Sequence, residues 1–210
     1  EPVQGEGGVY VCSKEFLTGL RKLCDEKDIA LILDEVQCGM GRTGTIMTYF
    51  QYDILPDILC LAKGIGAGFP MGAFVANKKF AAAMEPGDHG STYGGNPMAG
   101  QACRTVFKIL EETKMLDHVQ DISEYLIEKL DDLKDKYSCI KERRGLGLMI
   151  GLEFDKPVKD IVKTCLDLGL IVVTAGPHVV RMLPPFITTE KDVDQAIAIL
   201  KEAIEKNLKI

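Results

Sequence analysis

Read for the spacing of its apolar positions, the chain opens on a helix. Ser13 has the chemistry of an N-cap, and Phe16, Leu17, Leu20, Leu23 and Cys24 recur behind it at helical spacing. The period then changes. Ile29, Ala30, Leu31, Ile32 and Leu33 form a short, continuously apolar run rich in branched residues, which predicts a strand buried on both faces of a mostly parallel sheet. A loop punctuated by Gly39, Gly41 and Gly44 follows, and then two more short runs, ILCLA over 58–62 and MGAFVA over 71–76. Helix, strand, loop and strand in this order predict a layered α/β domain. Asn96 and Pro97 have the character of an N-cap and an N1 proline for a helix running toward Thr113. A second helical pattern places Val119, Ile122, Leu126, Leu130 and Leu133 on one face. Residues 146–154 and 170–174 read as strands, with Val158, Ile161, Val162, Cys165 and Leu166 on an amphipathic helix between them. A last helix is expected from near Thr189, with Val193, Ile197, Leu200 and Ile204 inward. The alternation predicts two domains, 1–112 and a smaller α/β domain over 113–210.

Composition narrows the functional classes. With 46% hydrophobic and 27% charged residues, 210 residues have ample material for a core. A net charge of −6 without a clustered basic face argues against a nucleic-acid partner. No apolar stretch approaches the roughly 20 residues that span a bilayer. The seven cysteines are scattered without a C-x-x-C pair, which fits small buried hydrophobes in a reducing compartment better than a zinc ribbon or a disulfide framework. Three dispersed histidines give no metal constellation. The opening stretch EPVQGEGG has loop chemistry, no initiator methionine and no targeting segment. The sequence is therefore expected to begin inside a longer protein. A cytoplasmic location is expected, with an organelle address left open.

The candidate chemistry starts at Asp34, which ends the first strand-like run and so belongs at a carboxyl-terminal sheet edge, where open α/β sheets bind ligands. Lys63 holds the same position after the second run. The pair reads equally as a structural salt bridge or as a ligand crevice. Glycines at 64, 66 and 68 let the backbone crowd a ligand, although no G-x-G-x-x-G opens a helix here. Further on, HGSTYGGNP over 89–97 offers hydroxyls and free amides before a helix N-terminus, a natural anion site. A lysine, a strand-end aspartate and a phosphate-type loop together are what pyridoxal phosphate requires.

Segments 1–8 (EPVQGEGG), 33–44 (LDEVQCGMGRTG), 56–72 (PDILCLAKGIGAGFPMG) and 89–97 (HGSTYGGNP), with HVVRMLPP at 178–185, resemble the class III aminotransferases, most closely the acetylornithine and ornithine aminotransferases. The resemblance runs the whole chain. It implies fold type I of pyridoxal phosphate enzymes, here an incomplete large domain plus a small C-terminal α/β domain. It also implies a homodimer with shared active sites. It makes Lys63 the lysine that links covalently to the cofactor and shuttles the proton, and Asp34 the carboxylate on the pyridinium nitrogen. Gln37 would contact the ring hydroxyl, and Thr92, with Ser91 beside it, the phosphate in the neighbouring subunit. Glu6 and Arg181 would pair while an amine substrate is bound and separate when glutamate or 2-oxoglutarate enters, with a fixed salt bridge as the alternative.

Glu35 neighbours Asp34, but adjacent strand residues point to opposite faces, so no carboxylate dyad is expected. Arg42 reads as a structural anchor, His118 as a helix-surface residue, His178 as part of a turn, and His89 as a border of the phosphate-type loop. The implied function is transfer of the terminal amino group of N2-acetyl-L-ornithine to 2-oxoglutarate. Ornithine δ-aminotransferase or another ω-amino acid aminotransferase is the alternative, and a non-catalytic binding protein on the same scaffold is the reading from another class. In the family the glycine-rich phosphate turn, the ring-stacking aromatic residue and an arginine for the distal carboxylate lie upstream, so these 210 residues alone are expected to be inactive.

Overall fold

The computed structural model describes residues 1–208. The chain forms two compact units: Glu1–Pro2 with Cys12–Leu116, and Val3–Val11 with the residues from Asp117 onward.

In the first unit, α1 (Lys14–Lys27) is capped by Ser13, whose hydroxyl oxygen accepts from the Phe16 amide at 3.1 Å. It stops at Asp28, which adopts the left-handed conformation. Of its apolar stripe, Leu17 and Cys24 are buried whereas Phe16 and Leu23 are exposed. Three short strands follow, β1 (Ile32–Asp34), β2 (Ile58–Leu61) and β3 (Ala73–Ala76), in the spatial order β1-β2-β3. β1 and β2 are parallel, but β3 is antiparallel to β2. The connection from β2 to β3 is too short for the crossover that a parallel neighbour needs.

Two expectations about β1 need correction. The strand starts at Ile32, not Ile29, because the backbone before it is bound elsewhere. The Leu31 amide donates to Asp57 Oδ2 at 2.8 Å, and the Leu31 carbonyl accepts from the Asp57 and Ile58 amides at 2.9 and 3.2 Å. Nor is β1 buried on both faces: Leu33 is 3% exposed and Ile32 55%. Leu33, Leu59 and Leu61 face the interior, and Ile32, Asp34 and Phe74 lie on an open face. A four-residue helix that the periodicity did not predict, α2 (Lys78–Ala81), follows β3. Then α3 (Pro97–Glu112) begins as expected, Asn96 Oδ1 accepting from the Ala99 amide at 2.9 Å.

The second unit begins its helical part with α4 (Met115–Lys136). Next come β4 (Ile140–Leu146), β5 (Met149–Phe154), α5 (Lys159–Asp167), β6 (Val173–Thr174), β7 (Val179–Met182) and α6 (Glu190–Leu208). The sheet order is β4-β5-β7-β6, antiparallel throughout. The single strand expected over 146–154 is the second arm of a hairpin. Its first arm, IKERRGL, was hidden by its charge. That charge is accommodated in place: Arg143 makes a two-pronged contact with Asp131 of α4 at 2.8 and 2.9 Å. One face of the sheet, with Ile150, Leu152, Val180 and Met182, packs on Val119, Leu126 and Leu130 of α4, Ile161 and Cys165 of α5, and Val193, Leu200 and Ile204 of α6. Each such side chain contributes about 1.5–3 kcal/mol on leaving water. The opposite face carries the Val3–Val11 loop.

Asp57 is the polar pin of the first sheet, bound by the Leu31 amide, by Arg21 Nη1 at 2.8 Å and by Asn77 Nδ2 at 2.7 Å. Burial raises its pKa, but these three donors outweigh burial and bring the carboxyl below its usual 3.8. A lowered folded-state pKa contributes stability above the ordinary carboxylate range, and that stability is lost as pH falls through the lowered value. Asp57→Ala should cost on the order of 3 kcal/mol in urea titrations near neutrality. Asp57→Asn should lose less stability than the wild type when the titration is repeated below about pH 4.

Candidate active site

Asp34 and Lys63 come together through the register of β1 and β2. Asp34 pairs with Cys60 across the parallel strands, and Lys63 follows β2 by two residues. Both are exposed, at the carboxyl ends of neighbouring strands. Asp34 Oδ1 accepts from the Val36 amide at 2.9 Å. No ion pair joins Asp34 to Lys63 among the described residues.

The backbone at Lys63 is strained. Its φ is +50°, in the left-handed region, which costs a residue with a side chain about 1–2 kcal/mol. Such a residue persists only where its surroundings over-determine it. Here Lys63–Gly66 form one 3-10 turn, anchored by buried Ile65 and closed by the Ile65 amide on the Ala62 carbonyl at 3.2 Å. Gly64 matters for approach: a Cβ there would sit 3.3 Å from Cβ of Met40, in the loop that follows Asp34.

That loop is held from below by Glu35. Asp34 is exposed and Glu35 is 1% exposed, so the two carboxylates do face opposite ways. Glu35 accepts from the Thr48 and Tyr49 amides, each at 2.7 Å. Burial, only partly offset by these bonds, raises its pKa. Gln37 is half-buried in the turn after β1. Burial of the Arg42 guanidinium pushes its pKa down to about 10, in keeping with a structural anchor.

In the 89–97 loop, the Ser91 hydroxyl oxygen accepts from the Gly94 amide at 3.0 Å, so Ser91 shapes the turn. Thr92 is exposed beside it. A cavity of about 470 Å³ is lined by Met71, Gly72, Ser91, Gly94, Asn96 and neighbours. His89 makes an edge contact with Phe74, ring centroids 5.7 Å apart.

The second unit carries the other candidate pair. Arg181 Nη2 donates to Glu6 Oε1 at 2.6 Å, the Arg181 side chain 8% and the Glu6 side chain 76% exposed. A buried cation beside an exposed carboxylate is an asymmetric pair: Glu6 can regain water by rotating, whereas Arg181 cannot. Glu6 lies in a loop closed by the Val3–Val11 bridge and by the Gln4 amide on the Tyr10 carbonyl at 2.9 Å.

Sequence reasoning missed Arg144, which is 8% exposed and donates from Nε to the Gly8 carbonyl at 2.6 Å. Its guanidinium also binds Glu142 and Glu153 and lies 4.0 Å from the Tyr10 ring centroid. The only sequence signal was a charged doublet, Arg143 and Arg144, which reads as solvated surface. His118 departs from its expected surface role: it is half-buried, with Nε2 2.9 Å from the Thr188 carbonyl oxygen. His178 lies in a bend, as expected.

Pyridoxal phosphate fits the first-unit residues. A strand-end carboxylate, an exposed amine with no ion pair among the described residues, and a hydroxyl loop at the head of α3 are the group types that suit its ring nitrogen, aldehyde and phosphate.

Comparison with known proteins identifies the family. The aminotransferase class-III family model matches residues 1–204. Acetylornithine aminotransferase of Clostridium acetobutylicum is 47% identical over 206 residues, covering 98% of this chain and 53% of that protein. The crystal structure of N-acetylornithine aminotransferase from Stenotrophomonas maltophilia superposes with a TM-score of 0.89 at 35% identity, over 99% of this chain and 56% of that one. An ornithine aminotransferase from Plasmodium yoelii gives 0.91 at 31%, over 98% and 55%. The chain spans about half the length of the curated relatives it matches.

Proposed function

The chain belongs to the class III aminotransferases, and on that premise we propose that the protein moves the terminal amino group of N2-acetyl-L-ornithine to 2-oxoglutarate with pyridoxal phosphate. The observation that carries the chemistry is the placement of Asp34 and Lys63 at the ends of neighbouring parallel strands, unpaired with each other, Lys63 on strained backbone. The names of the curated relatives favour acetylornithine as the substrate. Likeness to an ornithine aminotransferase structure keeps ornithine as the second reading.

Bound pyridoxal phosphate supplies an electron sink for the charge left when the substrate carbon loses its proton. Lys63 Nζ would hold the group covalently, and its amine, when free, would take the proton from the substrate carbon and return it. Asp34 would hold the ring nitrogen protonated by a charge-assisted hydrogen bond. Gln37 would bind the ring hydroxyl, and Ser91 fixes the turn that presents Thr92. In a homodimer Thr92 would serve the phosphate held by the other subunit. Glu6 masks Arg181 during the amine half-reaction. A dicarboxylate then exchanges with Glu6 and takes the guanidinium bidentately. No described helix is long and apolar enough to cross a membrane, and the seven cysteines form no disulfides.

Two experiments on the complete protein test this reading. Borohydride should fix the cofactor to the wild-type chain and not to Lys63→Ala. Labelling of the variant would move the role to another lysine. Glu6→Ala should shift half-reaction rates toward glutamate and away from acetylornithine, about tenfold in their ratio. An unchanged ratio would leave Glu6–Arg181 a fixed salt bridge.

A further inference from the structure

Arg144, Gly151 and Arg181 are cross-strand partners in one row: Arg144 of β4 opposes Gly151 of β5, which opposes Arg181 of β7. Residues paired in this way share a face. Both guanidinium side chains therefore rise from the face opposite the hydrophobic core, roughly 10 Å apart at their base, with a glycine between them. The Val3–Val11 loop occupies that gap. Val9, fully buried, lies over Gly151 so closely that a Cβ there would meet Val9 Cβ and Cγ2 at 3.1 Å and Val179 Cγ1 at 2.9 Å.

The two arginines hold the loop differently. Arg181 grips a side chain, Glu6. Arg144 grips the backbone, through the Gly8 carbonyl, and lies against the Tyr10 ring beyond it. Its own charge is met by Glu142 and Glu153 of the sheet, so its position does not depend on the loop. The loop needs such a hold. Val9, a β-branched residue, sits at φ +59°, a conformation it would leave if released.

We infer that Arg144 is a positioning residue for substrate selectivity: it fixes the Gly8–Val9 backbone so that Glu6 alone moves when Arg181 changes partners. The inference rests on the proposed Glu6–Arg181 exchange. With the backbone fixed, Glu6 returns to the same point each time and competes with the incoming carboxylate at a set strength. With the backbone loosened, Glu6 competes less well, and Arg181 is open to α-carboxylates in both half-reactions.

The test is half-reaction kinetics of the complete holoenzyme with acetylornithine and with glutamate, in the wild type, Arg144→Lys, Glu6→Ala and the double variant. Lysine keeps a cation for Glu142 and Glu153 but lacks the planar fork that reaches Gly8 and stacks on Tyr10. Arg144→Lys should shift the rate ratio toward glutamate by roughly three- to tenfold and add no further shift in the Glu6→Ala background, as expected of residues coupled in one network. Equal loss in both half-reactions would reduce Arg144 to a structural residue, and an undiminished shift in the Glu6→Ala background would show that it acts elsewhere. Either result overturns the inference. Glu6→Ala by itself reports on the underlying exchange: if it leaves the ratio unchanged, that reading fails whatever Arg144 does. Should Arg144→Lys fold poorly, Gly151→Ala leaves both arginines in place and displaces Val9, and it should shift the ratio in the same direction. No shift in a folded Gly151→Ala protein also counts against the inference.

Discussion

A guanidinium withdrawn from water must recover its lost hydration from carboxylates and carbonyls set at hydrogen-bonding distance. In the second unit two such groups, Arg144 and Arg181, stand on one cross-strand row with only Gly151 between them. The geometry of the Val3–Val11 loop follows from that demand. The loop supplies the Gly8 carbonyl to one arginine and the Glu6 carboxylate to the other, and it seats Val9 in the space that a side chain at position 151 would fill. The left-handed conformation of Val9 is tolerated because the bridge between Val3 and Val11 and the two arginine contacts leave the loop no alternative.

The first unit reaches the same end by different means. Lys63 also sits on left-handed backbone, and its turn leans on the loop that Glu35 pins through two amide bonds. In both units a buried side chain, Glu35 or Arg144, makes the fixed contacts, and an exposed one, Lys63 or Glu6, stands nearby. Asp34 and Glu35 divide these duties within two adjacent residues, because strand alternation sends one outward and the other into the loop. Under the proposed function, a mobile amine and a movable carboxylate would thus stand on backbone held by buried contacts.

What the sequence made legible was local. Asp34 and Lys63 could be found because each charge ends an apolar run, and the caps at Ser13 and Asn96 because N-cap chemistry acts over three residues. The extent of β1 could not be read, since the partner that draws Leu31 out of the strand, Asp57, is 26 residues away. β4 looked like solvated charge because Asp131, which neutralises Arg143, lies on another element. Glu6 and Arg181, 175 residues apart, were paired only through family resemblance. Arg144 and Gly8, 136 apart, were not paired at all. A row across a sheet is a property of register, and no spacing along the chain announces it.

The hold of Arg144 on the loop backbone is tested most directly by amide hydrogen exchange at Gln4, whose N–H donates to the Tyr10 carbonyl across the loop. In Arg144→Met, exchange at Gln4 should accelerate by at least about tenfold while the Ile150 amide in the sheet keeps its protection. Unaltered exchange at Gln4 would mean that the loop holds itself, and would contradict the account.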